Sequence, residues 1–325
     1  MTTLVTGGAG FIGSHLTERL LVRDEEVVVL DNFDSFYDPA IKDRNLERAR
    51  DFETLTEVRG DIRDEDGLRG LPDGIDTVIH IAALAGVRPS IADPVRYYDV
   101  NEVGTATLLK WAAEREIDRF LFASSSSVYG NNEKVPFSED DPVDHPISPY
   151  AATKKAGELL CHTYHHLYGM TVACLRLFTV YGPRQRPDLA IHKFARLLAK
   201  GEPIPMYGDG TTRRDYTYIE DLLQGLRGAM MWADERVDSG EPGYTVVNLG
   251  ESRTIELKEM IAVVADEMGV EAEIERLPMQ PGDVDRTWAD ISKARELFGY
   301  DPEWDFREGV REFVRWFREV EEDRG

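Results

Sequence analysis

The chain has 325 residues, 42% hydrophobic and 30% charged, enough to bury a full core as one large domain or two intimate ones. Its formal net charge of −23 excludes non-specific nucleic-acid binding and adhesion to anionic membranes. No apolar run approaches the roughly 20 residues that span a bilayer, and residues 1–13 carry no basic segment followed by an apolar stretch and a cleavage site, so a cytoplasmic protein is expected. The 38 basic residues include only 9 lysines, and this acid-rich, lysine-poor surface fits a high-salt cytoplasm, where dense negative charge is screened. The two cysteines, Cys161 and Cys174, fall in a helical and an apolar strand pattern and read as reduced core thiols.

Along the chain, residues 3–6 predict a β-branched strand, followed by a glycine turn and a helix over 14–22. Further strands are expected at 27–30, 54–59, 77–80, 120–123 and 171–177, with helices notably over 101–115 and 150–168. This alternation predicts an α/β fold, a parallel sheet covered by helices on both faces. After Phe178 the rhythm changes. Residues 181–214 carry Gly182-Pro183, Pro187, Gly201, Pro203, Pro205, Gly208 and Gly210, which reads as an irregular, substrate-facing region. A helix near 219–233 and a strand at 245–249 are expected to return to the sheet, and a smaller C-terminal α/β cap follows from about Ser252.

Thr6-Gly7-Gly8-Ala9-Gly10-Phe11-Ile12-Gly13 lies between the first strand and the first helix. Gly7 permits a tight turn, Gly10 lets the backbone approach a pyrophosphate, and Gly13 allows close helix–strand packing, with the helix N-terminus facing the phosphates. Asp31, 24 residues beyond Gly7, ends the second strand, where a carboxylate binds both ribose hydroxyls and repels a 2′-phosphate. The expected cofactor is therefore NAD rather than NADP, on a Rossmann-type doubly wound sheet. Asp61 ends the third strand and reads either as an adenine contact or as the N-cap of a helix over 63–68.

Tyr150 and Lys154 stand at i, i+4 at the start of a helix opened by Ser148-Pro149, which places them on one face. A phenol near pKa 10 is a poor base at neutral pH, and a nearby ammonium favours its phenolate. Alone, such a pair is as readily a surface pair; after five strand–helix units it lies where chemistry is expected. The Ser124-Ser125-Ser126-Ser127-Val128-Tyr129-Gly130 run ends a parallel strand, the edge where such sheets bind ligands, though a plain serine-rich turn has the same composition.

Together with His80-Ile81-Ala82-Ala83, Leu175-Arg176-Leu177-Phe178, Gly208-Asp209-Gly210, Arg214-Asp215-Tyr216 and Pro281-Gly282-Asp283, these motifs make the chain resemble the extended short-chain dehydrogenase/reductases, within them the nucleotide-sugar epimerases, over nearly its full length. The resemblance implies a catalytic set of Ser125, Tyr150 and Lys154, and an NAD site of Gly7, Gly10, Phe11, Ile12, Gly13, Asp31, Asn32, Asp61, Ile62, Ala82, Ala83 and Asn101 with Tyr150 and Lys154. It also implies an NAD-binding domain over 1–178 with return segments at about 215–249, a nucleotide-sugar domain from 179–214 and 250–325, and a homodimer paired through the helices over 101–115 and 150–168. Sugar-nucleotide 4,6-dehydratases place Asp-Glu after their catalytic Thr, and UDP-glucuronate decarboxylases carry a Glu at the second of these positions. Here both are serines, Ser126 and Ser127, which favours epimerisation.

The segment Tyr181 to Leu189, the loop with Phe36-Tyr37-Asp38-Pro39, and Ala85-Gly86-Val87-Arg88 resemble UDP-glucuronate 4-epimerases. That resemblance implies Arg214 at the pyrophosphate, Asp283 at the uridine ribose, Tyr207 against the uracil, and Arg186 near the phosphate or sugar, and Arg88 adds positive charge for the substrate. Ser126, Ser127 and Thr179 would hold the C6 carboxylate. Arg184 and Arg213, like Arg88, Arg186 and Arg214, would supply a strongly acidic protein with local positive charge for the pyrophosphate, the alternative being surface ion-pair partners. His162, His165 and His166 have no matching acidic or cysteine ligand, so no metal site is expected. UDP-glucose or UDP-N-acetylglucosamine 4-epimerisation, UDP-glucuronate decarboxylation and a non-catalytic NAD-binding role remain as alternatives.

Overall fold

The computed structural model describes residues 1–278 and 284–322. In chain order its strands are β1 (Thr2–Thr6), β2 (Glu26–Asp31), β3 (Leu55–Arg59), β4 (Ile75–His80), β5 (Arg119–Ser125), β6 (Thr171–Leu177), β7 (Thr179–Tyr181), β8 (Ile204–Tyr207), β9 (Arg213–Arg214), β10 (Tyr216–Tyr218), β11 (Tyr244–Leu249), β12 (Ile255–Glu256) and β13 (Ile274–Leu277). Seven of them form one parallel sheet in the order β11-β6-β5-β4-β1-β2-β3. Helices cover both faces, so the central strands are apolar runs rather than alternating ones: Leu4, Val5, Val28, Val29, Phe120 and Leu121 are all buried. The α/β reading is correct, and the order is that of a Rossmann-type sheet. Its direction reverses between β1 and β4, where such sheets open a crevice at their carboxyl ends.

The helix Pro149–Tyr168 follows its local sequence closely. Ser148 accepts the Ala151 N–H at 3.1 Å, Pro149 opens the first turn, and Gly169 closes the helix at φ 68°. Gly157 lets this helix lie on β5, since a Cβ there would stand 2.3 Å from Phe122 Cζ. The expected helix over 101–115 is present, with a π turn at Asp99–Val103 running directly into the helix Gly104–Glu114.

The expected irregular region over 181–214 also contains a helix, Ala190–Ala199. Gly and Pro flank it rather than interrupt it, and Ile191, Phe194, Ala195 and Leu198 keep the i, i+3, i+4, i+7 spacing of a buried face. Short two-stranded pairings, β10-β7, β12-β9 and β13-β8, tie this region to the C-terminal helices. Buried Asp215 accepts the N–H groups of Glu251, Ser252 and Ala289 at 2.7, 3.1 and 3.0 Å, joining the end of the sheet to the C-terminal part.

Cys161 and Cys174 are both buried and free. His162 and His165 pack on Tyr244 with ring centroids 4.9 and 5.9 Å away. No helix among the described residues is long and apolar enough to cross a membrane, and no cluster of three or more His, Cys, Asp or Glu there could hold a metal ion.

Candidate active site

The carboxyl ends of β1 to β6 converge on a single cavity of about 380 Å³, within the usual range for small-molecule sites. On one side the glycine loop forms its floor. Gly7 adopts φ 71°, and a Cβ there would stand 2.8 Å from Ala82 N; at Gly13 it would stand 2.2 Å from Gly7 O. No side chain caps the helix Phe11–Leu21, so its first N–H groups are left for an anion at the cavity. The sequence's phosphate cradle thus fits a dinucleotide.

Asp31 is buried at the end of β2 and is already organised. Its Oδ1 accepts Phe33 N–H at 2.8 Å and Lys42 Nζ at 3.0 Å, and its Oδ2 accepts Ala9 N–H at 3.2 Å. Asn32 donates to Asp61 Oδ2 at 2.9 Å, which brings these two predicted residues together. Arg63 also grips Asp61, and its hydrogen bonds outweigh burial and hold the carboxyl down at about 2. The N-cap reading for Asp61 gives way to Asp64, which accepts Asp66 N–H at the start of the helix Glu65–Arg69. Ile62, Ala82 and Ala83 line the same cavity. Asn101 does not. It is 3% exposed, with Oδ1 accepting Leu84 N–H at 2.8 Å and Nδ2 donating to Leu84 O and Thr153 Oγ1, both at 3.0 Å. It shapes the loop after β4 and ties that loop to the Tyr150 helix.

Ser125, Tyr150 and Lys154 meet at the middle of the cavity. Ser125 Oγ donates to Ser127 Oγ at 3.1 Å and accepts Ser127 N–H at 3.1 Å. Burial raises the Tyr150 phenol, while the nearby Ser125 hydroxyl and the charge of Arg186 work against that rise. The ammonium that the sequence places beside the phenol is present there, on Lys154. That ammonium lies 6.0 Å from the Tyr150 ring centroid and donates to Ala123 O at 2.6 Å. Burial pushes the Lys154 ammonium down to about 8.

Among the substrate candidates, Ser126, Ser127, Thr179 and Arg186 line this cavity. Arg186 forms a two-point pair with Asp188, with Nε and Nη2 at 2.9 and 2.8 Å from its two carboxylate oxygens, and its guanidinium lies 5.6 Å from the Phe36 ring centroid. Arg88, Tyr207 and Arg214 are not among the lining residues. Arg88 and Tyr207 instead meet each other, with the guanidinium 5.0 Å from the ring centroid, and Arg214 lies on β9 with Nη1 donating to Arg213 O at 2.9 Å. Asp283 lies outside the described residues. Arg184 pairs with Glu18 at 2.6 Å and Arg213 with Glu256 at 2.7 Å, so both bear out the ion-pair reading.

The profile of the GDP-mannose 4,6-dehydratase family matches residues 4–313. The chain belongs to this family of NAD-dependent epimerases and dehydratases. It is 40% identical over 320 residues to a UDP-glucuronate 4-epimerase of Thermodesulfobacterium geofontis, covering 97% of this chain and 96% of that one. The crystal structure of UDP-glucuronic acid 4-epimerase from Bacillus cereus, in complex with UDP-glucuronic acid and NAD, superposes with a TM-score of 0.90 at 35% identity, covering 98% of this chain and 100% of that chain. The dTDP-glucose 4,6-dehydratase DesIV from Streptomyces venezuelae, with NAD and TYD bound, superposes with a TM-score of 0.89 at 33% identity, covering 98% and 97% of the two chains. Overall shape therefore does not separate the family's reactions; the side chains must.

Four carboxylates line the cavity among the described residues, Asp31, Asp34, Asp61 and Asp188, and every one is held by a cation: Lys42, Arg96, Arg63 and Arg186 respectively. A family member that eliminates water needs a carboxylate acid or base beside its Tyr, and none here is unpaired. Sequence reasoning did not single out Lys42, Asp34 or Asp188 as site residues. Lys42 left a signal, being the only lysine before Lys110 and lying opposite Asp31 on a short helix, Pro39–Asn45.

Proposed function

We propose that this protein is an NAD-dependent UDP-sugar 4-epimerase that interconverts UDP-glucuronate and UDP-galacturonate. The observation that carries this reading is the pairing of each cavity carboxylate among the described residues, beside a serine–tyrosine–lysine set and the neutral donors Ser126, Ser127 and Thr179. The similarity to relatives named UDP-glucuronate 4-epimerase supports the choice of sugar.

NAD, when bound, supplies the two-electron acceptor and donor at C4 of the sugar. Tyr150 takes the C4 hydroxyl proton, and Ser125, which lines the cavity with it, orients the phenol and relays that proton. Lys154, fixed against Ala123 O, holds the cofactor ribose. The 4-keto sugar turns about its pyrophosphate link and is reduced on the other face, with Tyr150 returning the proton. This intermediate is a β-keto acid, prone to lose CO2. Hydroxyls of Ser126, Ser127 and Thr179 grip the carboxylate out of alignment with the ketone and suppress that loss, and Arg186 adds its charge. Gly7, Gly10, Phe11, Ile12, Gly13, Asp31, Asn32, Asp61, Ile62, Ala82 and Ala83 make the cofactor cradle. Arg88, Tyr207, Arg214 and Asp283 are assigned to the uridine diphosphate.

In this reading residues 1–178 with about 215–249 bind NAD, and 179–214 with 250–325 bind the nucleotide sugar. We place the enzyme in the cytoplasm as a homodimer. Val103, Leu159, Leu167 and Tyr168, each more than half exposed on or beside the two pairing helices, would be covered by the second copy. A monomer in sedimentation at micromolar concentration refutes the dimer.

The test is to incubate the purified protein with UDP-glucuronate and follow the anomeric protons by NMR. Appearance of UDP-galacturonate without CO2 supports the reading. Release of CO2 with a pentose nucleotide makes it a decarboxylase, and turnover of UDP-glucose or UDP-N-acetylglucosamine alone moves the assignment to those sugars.

A further inference from the structure

The segment between Asp31 and the helix Pro39–Asn45 crosses the cavity from one wall to the other. Asn32, Asp34, Phe36 and Tyr37 all line it. At one side Tyr37 reaches the phosphate cradle, its hydroxyl 3.9 Å from where a Cβ on Gly10 would stand. At the other, Phe36 packs with Tyr150 against the buried Leu84, Tyr97 and Val100, and Arg186 lies over its ring. The two aromatic rings therefore bridge the phosphate loop and the catalytic tyrosine.

The two ends of this crossing are anchored to the cofactor cradle itself. Asp31 accepts Phe33 N–H at 2.8 Å at the start, and on the return Lys42 bonds Asp31 while Asn45 Nδ2 donates to Ala9 O at 3.0 Å. Its middle is held differently. Asp34 Oδ1 accepts Phe36 N–H at 2.8 Å, which fixes the turn that presents Phe36, and Arg96 Nη2 sits 2.8 Å from both oxygens of the same carboxylate. Arg96 comes from a separate element, the helix Pro94–Tyr98, 62 residues away in sequence, and does not line the cavity.

We propose that the Asp34–Arg96 pair is a latch that positions Phe36 and Tyr37 across the bound dinucleotide, so that NAD stays in place from one turnover to the next. Arg96 is thus a positioning residue for cofactor retention. The proposal deepens the epimerase reading and rests on it. An epimerase takes an electron pair from its substrate and returns the same pair within one visit, so its NAD is regenerated and needs no exchange. A dehydrogenase must release its reduced cofactor at every turn, and a latched wall would slow it.

The experiment compares the wild-type enzyme with R96M and R96K, each saturated with NAD and then gel-filtered into NAD-free buffer. NAD remaining on the protein is measured against time by its absorbance after acid release. The pair is partly exposed, with side chains 42% and 22% accessible for Arg96 and Asp34. For R96M, NAD is expected to leave about fivefold faster, the factor corresponding to ~1 kcal/mol, the upper range for such a pair. R96K should fall between R96M and wild type, and the melting temperature of the NAD-free protein should fall by no more than about 2 °C. Epimerase activity of R96M without added NAD should drop and return to the wild-type kcat at saturating NAD, a rise in the KM for NAD alone. Loss of NAD from R96M within twofold of the wild-type rate overturns the latch, as does a lower kcat at saturating NAD with retention unchanged. The NAD measurement uses no sugar. Faster release in an enzyme that leaves UDP-glucuronate untouched would uphold the latch and refute the sugar assignment separately.

Discussion

Replacing Glu158 with Ala tests how much the buried polar web behind the catalytic strand holds together. Glu158 and Arg176 have side chains only 1% and 2% exposed, paired through Nε–Oε1 at 2.8 Å and Nη2–Oε2 at 3.0 Å. Ser124, next to Ser125, donates to Glu158 Oε1 at 2.6 Å, and Arg176 Nη1 donates to Tyr129 OH at 2.9 Å, which in turn donates to Asn248 at 2.7 Å. Deleting the carboxylate leaves a guanidinium without its counter-charge in the interior, at a cost of about 3–5 kcal/mol. With a urea dependence of about 3 kcal/mol per M, the unfolding midpoint should fall by about 1–1.7 M. The double variant E158L/R176M removes both charges and should recover most of that loss, because well-packed apolar pairs often equal or exceed a buried ion pair. Urea titrations followed by far-UV circular dichroism read both numbers. A midpoint drop below about 0.3 M for E158A, or a double variant as unstable as the single one, would refute the argument.

The same carboxylate sets an acid limit. Burial raises Glu158, but the hydrogen bonds from Arg176 outweigh it and hold the group below its usual 4.5. A depressed carboxylate stabilises the fold above its unfolded pKa and loses that contribution as pH falls through the folded value. The midpoint gap between wild type and E158Q should therefore shrink as pH falls below the usual 4.5 of a glutamate, and a gap that widens would contradict the sign. Tyr150→Phe should lower kcat by about 10²–10⁴-fold with NAD binding and melting temperature unchanged; more than a tenth of the wild-type rate by NMR would remove Tyr150 from its assigned role. Asp31→Ser should shift cofactor preference toward NADP, because it deletes the charge that repels a 2′-phosphate and leaves Lys42 facing it. Fluorescence titration with both reduced nucleotides reads the ratio, and an unchanged preference would mean Asp31 does not set it.

The sheet and the cofactor cradle were legible because they are written in local, short-range terms. Gly7, Gly10 and Gly13 face backbone within a few residues or across one strand, and Asp31 ends an unbroken apolar run. The helix Ala190–Ala199 was hidden by Gly and Pro on either side, although Ile191, Phe194 and Leu198 kept helical spacing. Pairings between distant segments could not be read at all. Nothing near Asp34 in the chain points to Arg96, nothing near Arg184 to Glu18, and Asn101 looks the same in sequence whether it meets a ligand or holds Leu84. The Tyr150 environment was legible only in part: spacing placed Lys154 on its helix face, and only the fold brings Arg186 to the phenol.

The position of β11 has a consequence for how the chain matures on the ribosome. Residues 244–249 form the outermost strand beyond β6, and Asn248 within it completes the chain of bonds that ends at Tyr129. Until that stretch emerges, β6 is an open edge whose unpaired N–H and C=O groups invite pairing with any neighbouring chain. The parts that cradle NAD emerge first and can assemble early, yet the growing polypeptide stays vulnerable to self-association until residues 244–249 have emerged. Residues 1–243 carry 40 acidic against 27 basic side chains, a net of −13, and this charge opposes association of such nascent copies during that interval.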